Sequence, residues 1–101
     1  MFKEKMQQYK EFVFLLTGYK IEFINAEQRT CPRVKLSSMF AEDEHDVLLF
    51  QKNENGLELL ATDFVEHKVD DKTFQLLKTC HSIPAFISQI TLDLFEHQTF
   101  M

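Results

Sequence analysis

The sequence predicts an α+β domain in which a coiled-coil helix leads into a four-stranded antiparallel sheet that carboxyl-terminal helices cover. Apolar residues near the amino terminus recur at alternating steps of four and three, as in a coiled-coil seam. Stretches that alternate apolar and polar side chains follow, without a crossover helix between them. Helical periodicity returns after Asp70. These observations divide the chain into the end of a dimeric coiled-coil helix, residues 1–17, and a globular head, residues 18–101.

The first helix carries an apolar row, called the seam below, that should pack against a second copy of the same chain. It consists of Phe2, Met6, Tyr9, Val13 and Leu16. No capping residue or turn precedes it, so we expect the end of a longer rod. An isolated helix below about 12 to 15 residues is marginal in water, so these two heptads need a partner. The alternative is an amphipathic helix that docks on its own domain, because Phe12, Phe14 and Leu15 widen the stripe.

Alternating side chains predict the first two strands. Gly18 should end the helix, because glycine readily takes the left-handed conformation that closes a last turn. Residues 19–24 and residues 33–40 then alternate apolar and polar side chains, which is typical of half-buried strands. The residues expected to point inward are Tyr19, Ile21, Phe23, Val34, Leu36, Ser38 and Phe40.

A hairpin should complete the sheet. Residues 47–52 and 57–61 are the third and fourth strands, and Asn55-Gly56 between them is a strong hairpin signal. Short connections between consecutive strands predict an antiparallel meander, which leaves one sheet face in need of cover.

Two helices near the carboxyl end should supply that cover. Asp70 and Asp71 can cap a helix that runs to about Cys80, and Ser82 can cap another that begins at Ile83-Pro84. One face of the last helix is apolar, and its burial on the sheet is worth on the order of 10 kcal/mol before entropy. It carries Ile83, Phe86, Ile87, Ile90, Leu94 and Phe95. Residues 62–69 receive no assignment.

The charge of the chain limits which kinds of molecule it could bind. Sixteen acidic against eleven basic residues give a net charge of −5, which argues against a nucleic-acid surface. The first helix nevertheless carries Lys3, Lys5 and Lys10, so it could receive a phosphorylated or acidic peptide. The acidic run Glu42, Asp43, Glu44 and Asp46 is expected to be a solvated loop.

The sequence predicts a noncatalytic protein without a metal or a cofactor. Its histidines, at positions 45, 67, 81 and 97, lie in different elements, and Cys31 and Cys80 belong to no zinc or redox motif. Its two glycines cannot build a phosphate-cradling loop. The longest apolar run, residues 12–16, is far below the roughly 20 residues of a membrane span, and no signal peptide is recognisable, so we expect a soluble intracellular protein.

Three segments occur in the order in which a known family has them. They are Leu16-Thr17-Gly18-Tyr19-Lys20-Ile21 after the helix, Lys35-Leu36-Ser37-Ser38-Met39-Phe40-Ala41-Glu42 in the second strand, and Ser82-Ile83-Pro84-Ala85-Phe86 leading into Leu92-Asp93-Leu94-Phe95-Glu96-His97-Gln98-Thr99. They are spread along the chain, and the match of which they are part spans almost all of it. They resemble the carboxyl-terminal domain of the mitotic arrest deficient one family of spindle-checkpoint proteins.

This resemblance implies a homodimer in which two parallel helices end in heads of the RWD type. It implies a scaffold of the spindle assembly checkpoint that is found in the nucleus, at kinetochores and, in interphase, at the nuclear envelope and its pores. Mitotic arrest deficient two would bind an upstream segment outside this chain. The head end would bind a phosphorylated motif of a checkpoint kinase of the budding-uninhibited-by-benzimidazoles family, and would help to present the activator of the anaphase-promoting complex.

The resemblance also implies where a peptide would bind. The family's phosphate-reading Arg-Leu-Lys triplet would lie just before Met1, so this chain would contribute the part of that surface on its basic helix. Tyr9, Lys10 and Phe14 match positions along which the peptide would pass, with Lys3 on the same exposed part of the helix. Lys10 would supply charge and Phe14 an apolar anchor. Thr99 matches a near-terminal threonine that a checkpoint kinase could phosphorylate.

Two interpretations of the first helix therefore stay open. In the first, it presents a peptide-binding surface, which requires Lys3, Lys10 and Phe14 to form a patch outside the seam. In the second, the chain is a purely structural dimerisation cap, which burial of Phe14 in the head would favour. Tyr9 could belong to the seam alone, and Lys10 could be a solvated surface cation.

Overall fold

The computed structural model describes residues 2–24 and 31–99, which form four strands and four helices. In chain order these are α1 (Phe2–Thr17), β1 (Tyr19–Ile24), β2 (Arg33–Ser38), β3 (Val47–Asn53), β4 (Gly56–Leu60), α2 (Asp63–Lys68), α3 (Asp71–Lys78) and α4 (Ile83–Thr99). The strands lie side by side in the order β1-β2-β3-β4, and each neighbouring pair is antiparallel. The predicted α+β class and the meander are confirmed. Most of the connection between β1 and β2 lies outside the described residues.

The core lies between one sheet face and the helices that follow the sheet. The strand register places Leu36 beside Leu48, and Val34 beside Phe50, so that their side chains share that face. Of the six apolar residues of α4 predicted to cover the sheet, Phe86 and Ile90 are buried, and three others are partly buried against the core. Phe95 is 43% exposed, so the predicted apolar face is buried only in part. The buried apolar residues are Tyr19, Leu36, Leu48, Phe50, Phe64, Val65, Phe86 and Ile90.

Local side-chain chemistry fixes the ends of the helices. The Asp70 carboxylate accepts a hydrogen bond from the Thr73 amide at 2.9 Å, and the Ser82 hydroxyl accepts one from the Ala85 amide at 3.1 Å, so both predicted caps are confirmed. Gly18 ends α1 with φ 79°, and its amide donates to the Phe14 carbonyl, as a glycine in this position should.

The predictions for strand length and strand facing need correction. Strand β2 ends at Ser38, two residues earlier than expected, and the Phe40 ring packs edge-on against Phe95 of α4 with centroids 5.3 Å apart. Ile21 and Phe23 point to the expected face of β1 but are exposed, Phe23 by 81%. The reason is that β1 is the edge strand, and the helical layer covers its start at Tyr19 but not its other end.

The hairpin forms with a different turn from the one expected. Asn53 pairs with Gly56, so the turn residues are Glu54 and Asn55 rather than Asn55 and Gly56. Gly56 follows the turn with φ 129°, a conformation that favours glycine. The strands accordingly run to Asn53 and begin at Gly56.

Candidate protein-binding surface

Helix α1 projects from the head with its apolar side uncovered. None of its described side chains is buried, and the seam residues Tyr9 and Leu16 are 68% and 82% exposed. Of the other seam residues, Phe2 and Met6 are exposed and Val13 is half-buried. Helix α1 therefore does not dock its stripe on its own head. Without a partner, this much apolar surface would be costly to leave in water.

The two predicted peptide-binding lysines form a row with Phe14, separate from the seam. At about 100° of rotation per residue, Lys3, Lys10 and Phe14 lie within about 40° of one another around α1, and about 100° from the seam. Both lysines are exposed, whereas Phe14 is half-buried, so part of its ring is available to a ligand. We call these three residues the basic row.

Tyr9 does not belong to the basic row. It precedes Lys10 directly, and consecutive residues of a helix point about 100° apart. Its position on the seam, together with its exposure, means that a partner helix would cover it before a peptide on the basic row could contact it.

A mainly apolar groove lies where α1 meets α4. Its volume is about 480 Å³, and we call it the junction groove. It is lined by Leu16, Thr17, Tyr19, Pro84, Ile87, Ser88, Thr91 and Leu92. Sequence reasoning could not find this groove, because its two walls are more than sixty residues apart along the chain.

Tyr19 lines the junction groove and connects its two walls. Its hydroxyl donates to the Ile87 carbonyl at 2.9 Å, and the Thr91 hydroxyl donates to the same carbonyl at 2.9 Å. Burial raises the pKa of the Tyr19 phenol, and a hydrogen bond with Thr91 opposes part of that rise. The position of α4 relative to the end of α1 therefore depends on a buried, protonated phenol.

The acidic loop is not solvated throughout, which corrects the prediction from the sequence. Asp46 is buried, and its carboxylate oxygens accept hydrogen bonds from the Lys68 ammonium at 2.8 and 3.0 Å. The hydrogen bond with Asp46 raises the pKa of Lys68, with smaller contributions from the charges of Asp46, Glu42 and Asp43. Glu42, Asp43 and Glu44 are exposed, as predicted.

The end of α4 contacts the same acidic loop. The His97 imidazole contacts the Glu42 carboxylate, and the Gln98 amide donates to the Phe40 carbonyl at 2.7 Å. Thr99 is the last described residue of α4 and is exposed. A phosphoryl group on Thr99 would therefore lie two residues from His97, close to a loop that already carries negative charge.

Helix α2 also escaped the sequence analysis, although its start carries a signal. The Thr62 hydroxyl accepts a hydrogen bond from the Val65 amide and donates to the Val47 carbonyl at 3.0 Å, so one side chain caps α2 and ties it to β3. Thr62-Asp63 before an apolar pair is a typical helix start. On this helix, Asp63, Glu66 and His67 could approach a metal ion, but all three are exposed, as surface acidic groups commonly are.

No helix among the described residues has the length and apolar character needed to cross a membrane. The chain was compared with known proteins. The sequence pattern of the family described as mitotic checkpoint protein matches residues 1–99. The chain is 34% identical to the Homo sapiens mitotic spindle assembly checkpoint protein MAD1, over 98% of this chain and 13% of that protein. It is 24% identical to the Yarrowia lipolytica spindle assembly checkpoint component MAD1, over 97% of this chain and 14% of that protein.

The chain thus corresponds to a small part of the length of these relatives, and the match extends from the exposed helix through the head. The structure places an uncovered seam and a basic row on that helix. The chain belongs to the mitotic checkpoint protein family, whose named members are components of the spindle assembly checkpoint.

Proposed function

We propose that this chain is a noncatalytic, dimeric head module of a spindle assembly checkpoint scaffold, and that its basic row binds a phosphorylated acidic segment of a checkpoint kinase. The head would be of the RWD type. The single observation that carries the proposal is an exposed helix whose apolar seam and basic row lie on different sides. One side is suited to a second copy and the other to an anionic peptide.

The exposure of the seam supports the dimer. A parallel pair would bury the same five seam residues from both chains, and each fully buried side chain of this kind contributes about 1.5 to 3 kcal/mol. The cost of ordering the two chains offsets much of that gain. The family resemblance implies a parallel pair, which would bring both heads to the same end.

Lysines beside the seam support an anionic ligand. In heptad terms the seam occupies positions a and d, which places Lys3 and Lys10 at position e and Lys5 at position g. In a parallel pair, Lys5 would then face the partner's Lys10, and the like charges would repel each other. An anionic peptide along this flank would relieve the repulsion, so binding of a phosphorylated segment and dimer formation would support each other.

The proposal also names partners of the whole protein, which the family resemblance suggests. The kinase would be of the budding-uninhibited-by-benzimidazoles family, at kinetochores in mitosis, with the protein at the nuclear envelope in interphase. Mitotic arrest deficient two would bind upstream of this chain. The head would help to present the activator of the anaphase-promoting complex for inhibition, as part of the assembly of the mitotic checkpoint complex. The alternative function is a structural dimerisation cap, and the half-burial of Phe14 is the observation that favours it.

A peptide titration separates the two functions. The probe is a labelled acidic peptide with one phosphothreonine, and its unphosphorylated form is the reference. A double variant, Lys3→Glu with Lys10→Glu, should weaken phosphopeptide binding by at least about tenfold, since charge-assisted hydrogen bonds contribute about 1.5 to 3 kcal/mol each. Lys52→Glu changes the charge of an exposed strand residue outside the basic row and should leave binding unchanged. Equal affinity for all three proteins, or no binding by a dimeric chain, would favour the structural cap.

A further inference from the structure

Strand β4 is an edge of the sheet, and the hydrogen bonds of its neighbour β3 show which of its backbone groups face outward. The Lys52 amide of β3 donates to the carbonyl of Pro32, directly before β2, at 2.8 Å. Residues that bond to a given neighbour alternate along an antiparallel strand, so Gln51 and Val47 direct their backbone groups toward β4. The Thr62 hydroxyl, just beyond β4, donates to the Val47 carbonyl at 3.0 Å, which agrees with this assignment.

The backbone groups of Leu57 and Leu59 therefore point to the open edge of the sheet. Glu58 lies opposite Gln51 and bonds to β3, so its two neighbours in the strand direct their groups the other way. The Leu57 side chain is 48% exposed, and Leu59 is half-buried against the core. The edge thus combines outward N–H and C=O groups with apolar side chains, which is a template for another strand.

This edge lacks the features that usually prevent strand pairing. Proteins protect an edge with charged side chains, above all lysine, or with proline. Strand β4 contains neither lysine nor proline, and its only charged residue is Glu58. The opposite edge, β1, carries Lys20 and Glu22, and its Tyr19 amide already donates to the Thr17 hydroxyl at 3.1 Å. Of the two edges, β4 is the one more open to an added strand.

We propose that an extended segment of a partner protein adds to β4 as a fifth strand of the sheet. Leu57 and Leu59 would each exchange hydrogen bonds with this segment, through both the amide and the carbonyl. The partner residues opposite them would be apolar, because they would lie on the core face of the sheet beside the two leucines. The backbone would supply affinity, and the alternate side chains would supply specificity. The site shares no residue with the basic row or the seam.

Glu58 determines the charge that the partner segment should carry. Its side chain is exposed on the outer face of the sheet, and the residue opposite it, Gln51, already accepts a hydrogen bond from the Arg33 guanidinium at 2.7 Å. An added strand would face Glu58 at a non-hydrogen-bonded position, where opposing side chains are closest. A lysine or arginine at that position would pair with the carboxylate. The partner segment should therefore alternate apolar and polar residues, with a basic residue opposite Glu58.

Two synthetic peptides test the site on the whole chain. Both are about eight residues long and alternate valine with threonine, and one central threonine is replaced by lysine in the first and by glutamate in the second. The lysine peptide should bind about two- to fivefold more tightly in fluorescence anisotropy. In amide hydrogen exchange it should protect the Leu57 and Leu59 amides, whereas the Glu58 amide should be protected before the peptide is added. Glu58→Lys should reverse the preference between the two peptides.

A proline variant separates strand addition from simple apolar contact. Leu57→Pro removes an outward amide that β3 does not use, so the sheet should tolerate it. It should weaken binding of the lysine peptide at least about fivefold relative to Leu57→Ala, the matched control, which loses the side chain but keeps the amide. Circular dichroism melting checks that both variants are folded. If Leu57→Pro unfolds the chain, the reversal in Glu58→Lys decides instead.

Four results would overturn the proposal. They are equal binding by folded Leu57→Pro and Leu57→Ala, binding without protection of the Leu57 and Leu59 amides, an unchanged preference in Glu58→Lys, and no binding of either peptide. Protection of the same amides that rises with protein concentration in the absence of peptide would also overturn it, because a second copy would then occupy the edge.

Discussion

Replacing Tyr19 with phenylalanine tests how α4 is held against the end of α1. The Tyr19 hydroxyl is removed, and with it the 2.9 Å hydrogen bond to the Ile87 carbonyl. That carbonyl keeps the hydrogen bond from the Thr91 hydroxyl, so it is not left without a donor. The expected loss is therefore that of one net hydrogen bond, about 0.5 to 1.5 kcal/mol in the free energy of unfolding. Circular dichroism in urea at neutral pH measures it.

The pH dependence of the same variant gives a sharper test. Burial raises the pKa of Tyr19 above its ordinary value of 10.0, so the folded chain holds this proton more tightly than the unfolded chain. The stabilisation is complete below the unfolded-state pKa and is lost as pH rises through the folded-state pKa. The phenylalanine variant lacks this titrating group. Its deficit in unfolding free energy should hence shrink as pH rises above about 10.

Two outcomes would refute this reasoning. A loss well above about 3 kcal/mol at neutral pH would mean that the hydroxyl has a role in packing that its one hydrogen bond does not explain. A deficit that stays constant across the alkaline range would mean that burial does not raise the pKa. Thr91→Val is the matched control, because it removes the other hydroxyl donor to Ile87 and keeps the titrating phenol. Protein concentration is held fixed, since dimerisation would otherwise alter the apparent stability.

Three further predictions concern the head. Phe86→Ala should cost about 3 to 5 kcal/mol in urea unfolding, because Phe86 is 0% exposed at the centre of the core, and a loss below about 1 kcal/mol would contradict that position. Thr62→Ala should cost about 1 to 2 kcal/mol, since it removes the α2 cap, whereas Thr62→Ser should recover most of the loss. Hydrogen bonds with Thr73 lower the pKa of Asp70, so its stabilising effect is present above the unfolded-state pKa and is lost as pH falls through the folded-state pKa. In Asp70→Asn, the free energy of unfolding should depend less on pH in the acid range. An unchanged pH dependence would show that the cap does not depend on the charge.

Much of the fold could be predicted because it follows from short-range chemistry. Gly18 ends α1 through its backbone freedom, and Asp70 and Ser82 cap their helices through contacts three residues away. Each of these effects is complete within a few residues, so a sequence shows it directly. Alternation likewise fixed which residues share a sheet face.

Features that depend on how far the helical layer extends over the sheet, or on contacts between distant residues, could not be predicted. Alternation places Phe23 on the core face of β1, but it does not say that the helical layer stops short of it. The ion pair of Asp46 and Lys68 joins residues 22 positions apart. In the sequence, Asp46 is one of several neighbouring acidic residues, and nothing there distinguishes it from the solvated ones. The candidate protein-binding surface could likewise be predicted only in part. The basic row was visible from helical spacing, whereas the junction groove appears only when the end of α1 meets α4.

The most direct test of the account is the solution mass of this chain over a dilution series, measured by sedimentation equilibrium. We expect a concentration-dependent approach to twice the chain mass of 12.0 kDa, with Leu16→Glu reducing the mass to that of one chain. A mass of one chain at every concentration would contradict the account. The seam would then have no second copy to cover it, and the exposed apolar side of α1 would need a different partner.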